Sequence, residues 1–77
     1  MVKILLEDLK NYLMKDFEAQ EFNNKITVRE VGSPVFYRWD QDKNIAFRHL
    51  EGDEPIEIQC DNINSFFKFI CSCELTK

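Results

Sequence analysis

The sequence predicts an α+β fold of two layers: a helix, a four-stranded antiparallel meander and a second helix, with both terminal helices packed on one face of the sheet. Three observations carry this. Apolar residues recur at three- and four-residue steps near both ends of the chain, the period of a half-buried helix. Between those stretches, four short runs alternate apolar with polar residues, the period of a strand. Turn-forming residues punctuate the runs at close intervals.

The first helix is expected over residues 3–18, because Val2, Leu5, Leu6, Leu9, Tyr12, Leu13 and Phe17 form one buried face. Lys3, Glu7, Lys10, Asn11 and Glu18 fill the other side. Residues 21–24 form a polar connection, with Asn23-Asn24 as its turn. Strands are expected at 25–31, 35–39, 45–50 and 56–60. Gly32-Ser33 suits a two-residue hairpin with glycine first. Residues 40–44 are a polar loop, and Glu51-Gly52-Asp53-Glu54-Pro55 is an acidic turn. Asp61 reads as the N-cap of a closing helix over 62–74, whose face is Ile63, Phe66, Phe67, Ile70 and Cys73. Phe69 and Cys71 widen that face beyond what one sheet contact needs.

A register follows. The Gly32-Ser33 turn sets Val28 opposite Tyr37 and Ile26 opposite Trp39. Keeping apolar sides together then pairs Tyr37 with Phe47, and Phe47 with Ile58. The outward parity falls to Arg29, Phe36, Arg48 and Glu57 in one row, with Thr27, Arg38, Ala46 and Gln59 beside it.

Composition narrows the function classes. At 77 residues the chain is expected to form one compact domain, 1–77, with one modest core. A net charge of −4 disfavours direct nucleic-acid binding, which needs a basic footprint. The longest apolar run, Ile4-Leu5-Leu6, is far too short for a membrane span or a secretory signal, so a cytoplasmic location is expected. Three cysteines cannot pair fully and are expected as thiols. The only glycines are Gly32 and Gly52, so a glycine-rich phosphate loop is missing. Ser33, Ser65 and Ser72 stand in no nucleophile motif beside the single histidine, His49. The expectation is a protein that is not an enzyme and takes no cofactor.

Two stretches of the sequence imitate metal sites. Asp40-x-Asp42-x-Asn44 with Glu51 imitates a calcium loop, but Ile45 occupies the position of the obligatory glycine. Cys60, Cys71, Cys73 and His49 match a zinc site in number only, since Cys71 and Cys73 point to nearly opposite sides of a helix. No metal is expected. His49 reads as a core-edge residue bonded locally, near Glu30.

The outward strand parity is the richest feature. It holds all three arginines, Arg29, Arg38 and Arg48, around Phe36, whereas all seven lysines lie in helices, loops and ends. An exposed apolar centre with cationic flanks suits a protein interface. Shielding of Phe36 by arginine stems, with Arg48 paired to Glu57, accounts for the same pattern through stability alone. The acids cluster in loops at opposite sheet ends: Asp40 and Asp42 in one, Glu51, Asp53 and Glu54 in the other. Such carboxylates can imitate a phosphate track, or simply keep a surface solvated.

The order helix, strands, helix resembles the double-stranded RNA-binding domain in outline. That family grips RNA with lysines at the start of its last helix, where this chain has Asp61-Asn62-Ile63-Asn64-Ser65 and no lysine before Lys68. The resemblance implies the outline and not RNA binding. In size and acidity the chain also resembles small phage-made inhibitors such as anti-CRISPR proteins, by composition and not by motif.

The expected function is therefore a small acidic binding module that inhibits or regulates a larger protein partner by occluding it. The specific form is a phage-type antagonist of a nucleic-acid-handling host enzyme. The alternatives are a structural homo-oligomer, such as a homodimer, using the open sheet face or the second helix around Phe69, and a small-ligand or metal binder.

Overall fold

A computed structural model describes residues 2–76. Met1 and Lys77, which the expected domain span includes, lie outside the described residues. The chain runs α1 (Val2–Leu13), β1 (Phe17–Phe22), β2 (Lys25–Glu30), β3 (Phe36–Asp40), β4 (Ile45–His49), β5 (Ile56–Gln59) and α2 (Ile63–Leu75). The strands form one antiparallel sheet in chain order, and the fold is the expected α+β type. The sheet has five strands, however, and not four.

The extra strand is β1. Phe17 continues the helical spacing of Leu9 and Leu13, which is why periodicity extends the helix through it. The helix stops earlier because Met14 adopts the left-handed region at φ 59°, its N–H donating to the Lys10 carbonyl at 2.8 Å. Phe17 then enters the core from the sheet, opposite Glu30. Asn23 and Asn24, at φ 50° and 61°, form the two-residue turn between Phe22 and Lys25. Two left-handed positions are what a type I′ hairpin demands, and asparagine tolerates them.

The β2–β3 register is as expected, with Ile26 opposite Trp39 and Val28 opposite Tyr37. Its turn differs: the Ser33 N–H donates to the Glu30 carbonyl at 3.0 Å, and Gly32 at φ 84° takes the third position. The β3–β4 register is one residue from expectation. Asp40 Oδ1 accepts the N–H groups of Asp42 (3.0 Å) and Lys43 (3.3 Å), and Asn44 turns left-handed at φ 55°. This loop closes with Asp40 opposite Ile45, so Ala46 faces Trp39 and Arg48 faces Tyr37. The smallest strand side chain therefore sits beside the largest. A one-residue slip reverses both faces of a strand, so Phe47 goes outward and Arg48 inward. β5 keeps its expected faces, with Ala46 opposite Ile58 and Phe47 opposite Glu57.

Both helices cover the inner face. Leu5 and Leu9 of α1 and Phe66, Phe69, Ile70 and Cys71 of α2 pack with Ile26, Val28, Tyr37, Trp39 and Ala46. The Trp39 indole donates to the Cys60 carbonyl at 2.9 Å, and its ring lies 5.9 Å from that of Phe66. Asn62, and not Asp61, caps α2, its Oδ1 accepting the Ser65 N–H at 2.9 Å. Phe69 is 7% exposed and stands edge-on to Tyr37. The wide apolar arc of α2 is thus spent on the core. Among the described residues, no helix is long and apolar enough to cross a membrane.

Candidate functional site

The sheet's outer face carries no helix, and its strand periodicity sets Gln20, Thr27, Arg38, Phe47 and Glu57 in one row. Arg38 is its centre. Its Nε donates to Thr27 Oγ1 at 2.9 Å, and its guanidinium lies 5.3 Å from the Phe36 ring centroid and 5.9 Å from that of Phe47. The ring quadrupoles favour a cation there. Phe36 meets Phe47 edge-on at 6.2 Å and stacks on His49 at 4.9 Å. All four side chains are half-buried.

Of the expected arginines, two stand on this face and one does not. Arg29 donates from Nε to Glu18 Oε1 at 2.5 Å, an ion pair that exists only because β1 lies beside β2. Arg48 is on the inner face opposite Tyr37, so the expected row of Arg29, Phe36, Arg48 and Glu57 does not form, and neither does an Arg48–Glu57 pair across the strands. Phe47 and His49 take the outward places that sequence pattern assigned to Arg48. His49 stacks on Phe36 and does not bond near Glu30. The signal that finds them is the loop chemistry of Asp40, whose two backbone partners fix the register.

The two acidic loops also differ. At one sheet end, Asp40 holds its own loop, and Asp42 accepts the Asn24 Nδ2 amide at 3.2 Å. These carboxylates are occupied by the fold. At the other end, Glu51, Asp53 and Glu54 are exposed, and Glu57 and Asp61 continue them along β5. Among the described residues none of the five joins an ion pair. The chain has fourteen acidic and ten basic residues, so the other nine acids are nearly balanced. All the net negative charge is therefore concentrated between residues 51 and 61, where no lysine or arginine stands.

A second polar cluster lies on the inner face. The Tyr37 hydroxyl donates to Glu74 Oε2, and Lys15 Nζ reaches Glu74 Oε1 at 3.4 Å and Glu30 Oε1 at 3.8 Å. Glu74 is buried, and the Lys15 ammonium and the Tyr37 hydroxyl give its carboxylate the partners such a group requires. Burial pushes the Tyr37 phenol far above its usual range, the bond to Glu74 and its charge push it further, and Arg48 opposes them. Burial likewise raises the Cys60 and Cys71 thiols. This cluster fastens α2 to the sheet. Among the described residues, no three of His, Cys, Asp and Glu group to hold a metal ion. An open cleft of about 410 Å³ separates the helices between Ile4, Asp8, Tyr12, Ile63 and Phe67.

Compared with protein-family models, with curated proteins and with solved structures, the chain matches none.

Proposed function

We propose that the protein is a non-enzymatic binding module that occludes a basic surface on a larger protein, acting in the cytoplasm as an antagonist of a nucleic-acid-handling enzyme. The observation that carries this is the meeting of two patches. The half-buried aromatic centre of Phe36, Arg38, Phe47 and His49 adjoins Glu57, and Glu57 opens the acidic strip that runs through Glu51, Asp53 and Glu54. Apolar and arginine groups supply contact area, and carboxylates supply steering toward a groove that binds phosphates.

The phage-type form of this reading rests on that charge distribution and on size alone. The alternative of self-association through α2 around Phe69 loses its motive, because Phe69 belongs to the core.

The test begins with immobilised protein in host lysate, followed by purification of any captured enzyme and titration of its nucleic-acid binding. The wild type is expected to block that binding, less so as salt rises. Reversal of three acids together, Asp53→Lys, Glu54→Lys and Glu57→Lys, is expected to weaken the block at least about tenfold. Undiminished inhibition by the triple variant, or inhibition indifferent to salt, overturns the reading.

A further inference from the structure

The β5 edge holds backbone groups that the sheet leaves open. The Cys60 N–H donates to the Asn44 carbonyl at 2.8 Å, with Ile58 opposite Ala46 and Ile56 opposite Arg48. In an antiparallel ladder alternate residues direct both backbone groups to the same neighbour, so Ile56, Ile58 and Cys60 face β4. Glu57 and Gln59 then aim N–H and C=O away from the sheet, and β5 is the last strand in its order. On the outer side a cleft of about 480 Å³ lies along this edge, lined by Lys43, Asn44, Ile45, Glu57, Ile58 and Gln59. It has room for a side chain of an added strand, against the 36% exposed Ile45.

The opposite edge makes the contrast. The Val31 N–H donates to the Asp16 carbonyl at 3.0 Å, which leaves Phe17, Ala19 and Glu21 of β1 pointing outward. Around that edge Lys15 and Lys25 mix with Asp16, Glu18 and Glu21. β5 instead stands among Glu51, Asp53, Glu54, Glu57 and Asp61, with Lys43 the one cation in the lining of its cleft. Like charges brought opposite one another destabilise a strand pair, so a second copy is repelled at β5. A strand rich in lysine or arginine is attracted there.

We infer that β5 accepts an extended, basic segment of a partner protein as a sixth strand. Glu57 and Gln59 supply the main-chain bonds, and the surrounding carboxylates select the charge. This deepens the binding reading above by naming the form of the partner segment, and it stands on the β5 backbone where that reading stands on the outer face.

The experiment uses a synthetic peptide of alternating lysine and valine, a copy with glutamate for lysine, and a copy N-methylated along one edge. Calorimetry and amide exchange on the full chain read the outcome. The lysine peptide is expected to bind at least about tenfold tighter than either copy, since one carries the opposite charge and the other lacks backbone donors. Exchange should slow at Glu57 and Gln59 and not at Ala19. Gln59→Pro removes an outward N–H that the β4 ladder does not use, and is expected to weaken the peptide about tenfold. Ala19→Pro, at the equivalent place on β1, should leave it unchanged. The N-methylated peptide decides the question even where a proline variant fails to fold.

Equal binding of the N-methylated copy, slowed exchange at β1, or no binding at all overturns the inference, and the short acidic edge is then protection against strand addition. Phe47→Ala separates the two proposals. It strikes the outer face and not the β5 backbone, so inhibition lost with peptide binding retained indicts neither edge nor charge. A failed peptide beside intact inhibition removes the edge alone.

Discussion

β3 supplies both faces of the sheet from five consecutive residues, and each face sets an ionic group among aromatic rings. Inward, the Glu74 carboxylate accepts the hydroxyl of Tyr37, which stands edge-on to Phe69. Outward, the Arg38 guanidinium lies between Phe36 and Phe47. The inner charge is shut off from water, so solvent cannot replace a partner that is lost. The outer charge is half-exposed, and solvent replaces whatever contact is removed. Burial, more than residue type, decides which of two similar clusters holds the fold and which is available to a partner.

The largest effect that sharpens this contrast is expected from Trp39→Ala. It empties the core beside Ala46 and Phe66 and strands the Cys60 carbonyl, at a cost of about 3–5 kcal/mol, measurable by urea unfolding. A wild-type midpoint in this variant breaks the assignment of faces.

Next comes Tyr37→Phe, which takes one hydrogen bond from Glu74 and should cost about 1–3 kcal/mol near neutral pH. It should also change the alkaline limb of stability. Tyr37 holds its proton more tightly folded than unfolded, chiefly through burial and then through Glu74. Its contribution is therefore complete below the unfolded value of about 10 and falls as pH rises beyond it. Cys60 and Cys71 add the same sign, beginning near the ordinary thiol value of about 8.5. Unfolding measured against pH should show a two-part decline in the wild type, with the part above about pH 10 reduced in the Phe variant.

The smallest effect on stability belongs to the outer face. Arg38→Ala loses one bond to Thr27 and two ring contacts near solvent, and should cost no more than about 1 kcal/mol. Its consequence should appear in partner binding. A loss of stability comparable to that of Trp39→Ala would make the outer cluster part of the fold's own support.

Much of this was legible in sequence because periodicity reports burial. The inward parity of Tyr37 and Trp39, the β2–β3 register and the closing helix all follow from it. Two features escaped. Phe17 satisfies both the helical period of α1 and the strand period of β1, and what separates them is the left-handed turn at Met14, a residue with no such preference. The faces of Phe47 and Arg48 depend on hydrogen bonds inside the 41–44 loop, where apolar pairing pointed the other way. Matching Tyr37 to Phe47 by polarity overlooked that Trp39 is better served by Ala46. Sequence pattern assigns Glu51, Asp53 and Glu54 to a turn, Glu57 to a strand beside Arg48 and Asp61 to a cap, so the acids join into one strip only once Arg48 is placed on the inner face, away from Glu57.

The 41–44 loop stores a single binary choice. Because side chains alternate, an even change in its length preserves which residues of β4 the protein shows, and an odd change inverts them. One inserted or deleted codon there is thus equivalent to rewriting every outward position of the strand at once. Arg48 would be published and Phe47 concealed, with no substitution in either.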